Sequence, residues 1–361
     1  MTRYTSEQIW KKIQKGVFIV AEIGKNFIQT EEDRPLEEYI ENAKKLIQAA
    51  TASGADAVKF QTHNVEDEQL NIKVTSPHFS GTDRYSWVKR NTEATPREFW
   101  QELKTYCDTL GIVFFSTPMS RGAAMKLQKV GVPLWKIGSG DVLDFVTLDF
   151  VAGTGKPIII SSGMSTLEEI DRAIEFLKRR TERVALLHCV SKYPCPPEEL
   201  NLNTIKLFQK RYGIPIGFSD HSLGYESAIA AVEMGATVIE KHFSFSRNLW
   251  GADHKVSMSP QELQDMVRGI KDGTPVQIVN FGQEAKILQE GEAVFRKFFR
   301  KSLVAGKDID CGKVITPQDI YAMRPQGYIN ALPSEEYEAV VGKKATKGFK
   351  KYDPILSQYL E

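Results

Sequence analysis

Two histidines carry the first hint of chemistry in this sequence. His221 ends the stretch Phe218-Ser219-Asp220-His221, and His242 follows twenty-one residues later in Glu240-Lys241-His242-Phe243. Each closes a short apolar run, Ile214–Phe218 before the first and Thr237–Ile239 before the second, with one helix length between them. Runs of that length and spacing read as successive parallel strands. Strand ends in a parallel barrel point into one mouth, so the two imidazoles can meet there and hold a metal ion. A two-histidine site leaves positions open for water and a substrate oxygen. Two structurally satisfied histidines would show the same pattern.

Two lysines raise a second question. Lys59 and Lys136 lie within strand-like apolar runs, Ala57–Gln61 and Leu134–Gly138. An unpaired ammonium is costly to bury. Each therefore pairs with a carboxylate, such as Glu22 or Asp141, or binds an anion.

The elements that position these groups recur along the chain. Val17–Glu22, Ala57–Gln61, Ile112–Ser116, Leu134–Gly138, Pro157–Ser161, Val184–His188, Ile214–Phe218 and Val238–His242 read as strands. Amphipathic segments such as Leu36–Ala52, Thr166–Lys178 and Pro260–Lys271 read as helices between or after them. Gly54, Gly111, Gly131, Gly155 and Gly235 sit where helices should end. About eight such units predict an α/β fold, a closed (β/α)8 TIM barrel over residues 1–275. The segment Asn64–Glu93 is an excursion on the catalytic side, and loops that long are usually functional. A linker over 276–294 leads to a small module over 295–361. Its strands are expected at Ser302–Ala305, Val314–Thr316 and Ile320–Met323.

Composition excludes some partners. With 47 Lys+Arg against 46 Asp+Glu the net charge is +1, so no global field invites nucleic acid or an anionic membrane, and any anion must be bound locally. Met1–Lys15 is polar, without the apolar core of an export signal. No run approaches the ~20 apolar residues a membrane span needs. The four cysteines, Cys107, Cys189, Cys195 and Cys311, suggest neither a disulfide framework nor a zinc site. A cytoplasmic protein with reduced thiols is expected.

At this point the residues spell a family. Ala21-Glu22-Ile23-Gly24, Lys59-Phe60-Gln61-Thr62-His63, Ser116-Thr117-Pro118, Lys136-Ile137-Gly138-Ser139-Gly140 and His188-Cys189 through Tyr193-Pro194 resemble the strand-end motifs of sialic acid synthases. So do the two histidine motifs and Gly251-Ala252-Asp253-His254. Ser302–Lys307 with Met323-Arg324-Pro325 is similar to the antifreeze-like (SAF) module that ends those enzymes. The resemblance runs in order from about Val17 to the end.

That resemblance implies condensation of phosphoenolpyruvate with an open-chain N-acetylmannosamine-type aldehyde, giving a nine-carbon 2-keto acid and phosphate. It implies a divalent ion, most often Mn2+ with Mg2+ or Co2+ as alternatives, and a homodimer whose SAF module closes over the partner's barrel. His221 and His242 are then the metal ligands. Lys136, Ser139, Ser191 and Ser219 surround the phosphate, with Lys59 a further anion binder. Gln61 and Thr117 lie near the metal and the carboxylate. Glu22, Asp253 and Tyr193 contact the sugar, and Arg324 reaches its N-acetyl group from the other subunit. Asp141 stands where many members have glutamate and would handle a proton when water attacks C2. Two departures stand out: Phe27 replaces a common histidine, and Ser191 stands where asparagine is frequent.

Rival readings remain at this level. A pyruvate-dependent Schiff-base aldolase would use a lysine such as Lys136, and a non-catalytic sugar- or ice-binding protein would need neither lysines nor histidines at strand ends. N-acetylmannosamine is the first-choice sugar; its 6-phosphate and the diacetamido trideoxy hexoses are alternatives. Lys89, Arg90, Lys192 and Arg247 are the basic residues that a phosphorylated sugar would call on, and Tyr85 and Trp87 of the excursion are expected to shape the pocket.

Overall fold

Eight short strands carry the site in the computed structural model, which describes residues 4–75, 82–276 and 281–361. They are β1 (Phe18–Gly24), β2 (Ala57–Thr62), β3 (Val113–Pro118), β4 (Trp135–Ile137), β5 (Ile158–Ser161), β6 (Val184–Cys189), β7 (Ile216–Asp220) and β8 (Val238–His242). All run parallel in the order β3-β2-β1-β8-β7-β6-β5-β4, and β3 packs beside β4 to close the ring. Parallel strands covered by helices are buried on both faces, and β1, β3, β6, β7 and β8 are buried along their whole length. The side-chain period of two puts Lys59 with Gln61, and Glu240 with His242, on one face of their strands.

The helices between strands follow local signals. Leu36–Ala52 buries Tyr39, Ala43, Leu46, Ile47 and Ala50. Thr166 and Glu169 form a capping box ahead of Leu167–Lys178. Gly111 ends Arg97–Leu110 at φ 70°, a left-handed conformation that favours glycine.

The amino-terminal stretch departs from its polar reading. Ser6–Lys15 is a helix with Ile9, Trp10 and Ile13 buried, and Ser6 Oγ donates to the Pro133 carbonyl just ahead of β4. Three apolar residues on one face of a ten-residue helix suffice to cover the end of the barrel opposite the strand carboxyl termini.

The excursion after β2 forms helices Val65–Glu68 and Arg84–Ala94; its residues 76–81 lie outside the described residues. In the module, β9 (Ser302–Ala305) and β10 (Ile320–Met323) pair antiparallel. The third expected strand reduces to a single bridge, Val314 with Lys344.

Within the single chain the module packs against its own barrel. Leu303, Ile320 and Ala322 join the barrel's apolar core. Lys301 pairs with Asp144 at 2.6 Å, Ser334 Oγ donates to the Leu143 carbonyl at 2.7 Å, and Arg179 and Arg180 pair with Glu338 at 2.6 and 2.9 Å. Burial of apolar surface drives the docking, and pairing offsets the cost of burying the Lys301 and Asp144 charges. Among the described residues no helix is long and apolar enough to cross a membrane.

Candidate active site

The carboxyl ends of the strands converge on a cavity of about 780 Å³, and all fourteen residues singled out from the sequence line it. Trp87 of the excursion lines it too; Tyr85 does not.

His221 and His242, from the ends of β7 and β8, stand with ring centroids 5.4 Å apart. His221 Nδ1 donates to the Val190 carbonyl at 3.0 Å, which leaves Nε2 a lone pair. His242 Nδ1 is buried without a hydrogen-bond partner among the described residues, and Asp253 Oδ2 lies 4.0 Å from it. Burial, with His221 and Lys59 nearby, holds the His242 ring well below its usual pKa, in the neutral form a metal requires. These residues fit a divalent cation. No group of three or more His, Cys, Asp or Glu is arranged to hold a metal among the described residues, so further positions would fall to water or substrate oxygens. The Tyr193 ring lies over His221, centroids 4.0 Å apart.

The lysines pair with carboxylates and stay at the cavity wall. Lys59 Nζ lies 2.7 Å from Glu22 Oε2 and 3.7 Å from Glu240 Oε2, and donates to Thr117 Oγ1 at 3.1 Å. Lys136 Nζ lies 3.4 Å from Glu240 Oε1 and donates to Ser161 Oγ at 2.7 Å. Its carboxylate is therefore Glu240, not Asp141. Glu240 also accepts from Ser219 Oγ at 3.1 Å. Although burial opposes it, Lys136 and Lys59 hold the Glu240 carboxyl down to about 2. Burial outweighs Lys59 at Glu22 and, with Glu240 adding to it, pushes that carboxyl up to about 7. Glu22 also accepts from Gln61 Nε2 at 3.0 Å.

Next to Lys136 the wall turns to hydroxyls and backbone. A Cβ on Gly163 would sit 2.2 Å from Ser191 Oγ and 2.6 Å from Ser139 Oγ, so only glycine leaves this cradle open. Glu292, fully buried, accepts from the backbone N–H groups of Ser191 at 2.7 Å and Met164 at 3.0 Å and pins the two loops that bound it.

Asp141 and Arg324 line the cavity as a pair. Arg324 is buried against its own barrel, with Nη2 2.5 Å from Asp141 Oδ1 and Nη1 3.3 Å from Glu68 Oε1. Its side chain lines the cavity of that barrel. Asp141 also faces Lys301 at 3.0 Å. A carboxylate held by two cations suits positioning Arg324 better than moving a proton. Phe27 is buried among Tyr39, Phe60 and Phe99, away from the cavity lining. Of the four basic residues considered for a phosphorylated sugar, only Arg90 lines the cavity, and Asp33 engages it at 2.5 Å. Lys89, Lys192 and Arg247 pair with Glu93, Glu199 and Glu262.

Glu240, Ser161, Gly163, Glu68 and Glu292 were not assigned from sequence. For Glu240 a signal existed, since it precedes His242 by two on one strand. The others depend on contacts between distant segments.

Fold and site define a parallel barrel whose strand ends gather cations, hydroxyls and a histidine pair under a small β module. The NeuB family model matches residues 46–277 and the SAF domain model matches residues 300–358. The chain belongs to the NeuB family, with a carboxyl-terminal SAF domain. It is 33% identical over 324 residues to the N,N'-diacetyllegionaminic acid synthase of Campylobacter jejuni, covering 87% of this chain and 93% of that one. It is 31% identical over 364 residues to the human N-acetylneuraminate-9-phosphate synthase, covering 98% and 95%. The crystal structure of a spore coat polysaccharide biosynthesis protein from Bacillus subtilis superposes with a TM-score of 0.76 at 30% identity, covering 96% and 95%.

Proposed function

We propose that this chain is a nonulosonate synthase: it joins C3 of phosphoenolpyruvate to the aldehyde carbon of an open-chain 2-acetamido hexose and releases phosphate. The observation that carries the reading is the meeting of Lys59 and Lys136 on Glu240 in the same cavity as the His221–His242 pair. Lys136 with Ser139, Ser191 and Ser219 would hold the phosphate, and Lys59 with Thr117 the carboxylate. Glu22, Asp253 and Tyr193 would orient the sugar hydroxyls, and Arg324 its acyl oxygen. A divalent cation held by His221 and His242, Mn2+ by preference, would draw electron density from the aldehyde oxygen.

Holding both substrates in one cavity supplies the proximity on which the step depends. As the C–C bond forms, the aldehyde oxygen takes up a proton and becomes a hydroxyl, and C2 becomes an oxocarbenium ion beside the Glu240 and Glu22 carboxylates. Water adds to C2 and loses a proton, and the tetrahedral intermediate expels phosphate by C–O cleavage, leaving the keto group. Glu22, titrating near 7, is placed to exchange a proton at neutral pH. A homodimer and a cytoplasmic location belong to the same proposal.

Phosphate release from phosphoenolpyruvate tests it, with N-acetylmannosamine, its 6-phosphate and the diacetamido trideoxy hexoses as acceptors. Turnover with at least one supports the reading, and none with any acceptor or divalent ion refutes it. A Schiff-base aldolase has one observation in its favour: burial lowers the Lys136 pKa, as an amine nucleophile requires. Covalent labelling by pyruvate and borohydride would select that alternative.

A further inference from the structure

Two polar groups of the cavity have no part in the chemistry above. Lys25, after β1, and His63, after β2, both line it and are 9% and 1% exposed. Lys25 Nζ and His63 Nε2 have no hydrogen-bond partner among the described residues. Buried polar atoms are nearly always bonded, because leaving them bare is costly. A pair left bare in a ligand cavity marks a place where the ligand completes the bonding.

Glu68 decides what the pair can recognise. His63 Nδ1 lies 2.9 and 2.8 Å from the two Glu68 oxygens. A carboxylate only accepts, so the ring proton sits on Nδ1 and Nε2 presents a lone pair. Burial supports the neutral ring, lowering its pKa to about 4. In its charged form, which burial confines to pH below about 7, Lys25 only donates. Both groups face the same cavity from the loops after the paired strands β1 and β2, and the charge of Glu68 acts on both. A donor and an acceptor facing one cavity from neighbouring loops are complementary to a hydroxyl. A phosphate ester would turn its lone pairs toward Nε2 and set its charge near Glu68, and a methyl group would leave both atoms bare.

One cavity joins this place to the histidine pair. Gly24, the last residue of β1, has φ +54°, and a Cβ there would meet Asp253 Oδ2, Gln61 Nε2 and Glu22 Oε1, each at 3.2 Å. An acceptor with its aldehyde at the ends of β7 and β8 runs past Glu22 and Asp253 toward the loops after β1 and β2.

We propose that Lys25 and His63 form a hydroxyl-recognising subsite for the end of the acceptor remote from its aldehyde, selecting a free hydroxymethyl group over a phosphate ester or a methyl group. This rests on the reading of the cavity as a synthase site.

The test is calorimetric titration of the full chain, with phosphoenolpyruvate and Mn2+ present. The ligands are reduced open-chain N-acetylmannosaminitol and its 6-deoxy and 6-phosphate forms, none of which can react. The wild type is expected to bind the parent about tenfold or more tightly than either analogue, the range set by one charge-assisted hydrogen bond. Lys25→Met and His63→Phe should remove that preference while changing affinity for the 6-deoxy form less than about threefold. Lys25→Met should also unfold at an unchanged or higher temperature, since it deletes a bare buried amine. A 6-phosphate bound as tightly as the parent, or variants that weaken parent and 6-deoxy forms alike, would overturn the subsite. If phosphoenolpyruvate binds and none of the three alditols does, the sugar reading itself falls and takes the subsite with it.

Discussion

Arg324 Nη2 and Asp141 Oδ1 meet at 2.5 Å although 183 residues separate them in the chain. The backbone does the same work beside them: Arg324 N donates to the Glu68 carbonyl at 2.8 Å, and Leu70 N to the Arg324 carbonyl at 2.9 Å. One residue of the module thus ties the excursion after β2 to the loop after β4, and the cavity wall is complete only when the module is docked.

Arg324→Met should therefore harm both stability and sugar binding. It leaves Asp141 and Glu68 buried with one fewer cation, a change worth about 3 kcal/mol by comparison with other broken buried pairs. Thermal unfolding should report the loss, and KM for the acceptor should rise more than KM for phosphoenolpyruvate. An unchanged melting temperature would contradict the docking described.

Gly163→Ala should close the hydroxyl cradle, because the added methyl group meets Ser191 Oγ and Ser139 Oγ at 2.2 and 2.6 Å. Phosphoenolpyruvate affinity, measured by calorimetry, should fall by about tenfold or more. The circular dichroism spectrum should stay that of the folded barrel.

Lys25 makes stability depend on pH in a predictable direction. Burial lowers its folded pKa from 10.5 to about 7, so between those values the unfolded chain binds the extra proton. Stability then rises with pH across that window. Denaturant unfolding of the wild type relative to Lys25→Met should show the gain between pH 7 and pH 10, and a flat difference would refute the depressed pKa.

Metal binding should depend on both imidazoles. The wild type should retain about one Mn2+ per chain after desalting, measured by atomic absorption, whereas His221→Ala and His242→Ala should lose it while remaining folded. Undiminished binding in either variant would place the metal elsewhere.

The barrel and its polar mouth were legible because each strand announces itself as a short apolar run, with polar residues within it or just after it. Lys59 and Lys136 interrupt such runs, His221 and His242 follow or close them, and all four line one cavity. What sequence could not supply was pairing between distant segments. Lys136 meets Glu240 rather than Asp141, Asp141 meets Arg324 and Lys301, and Glu292 pins the loop carrying Ser191. The amino-terminal helix was missed for a different reason: Ile9, Trp10 and Ile13 make a stripe too short to stand out among its charged neighbours.

The fate of one oxygen atom tests the proposed reaction most directly. Phosphoenolpyruvate carrying oxygen-18 in the bridge between C2 and phosphorus is turned over with an acceptor and Mn2+, and the released phosphate is analysed by mass spectrometry. C–O cleavage predicts that the label appears in phosphate, whereas label retained in the keto acid would mean attack at phosphorus and would contradict the account.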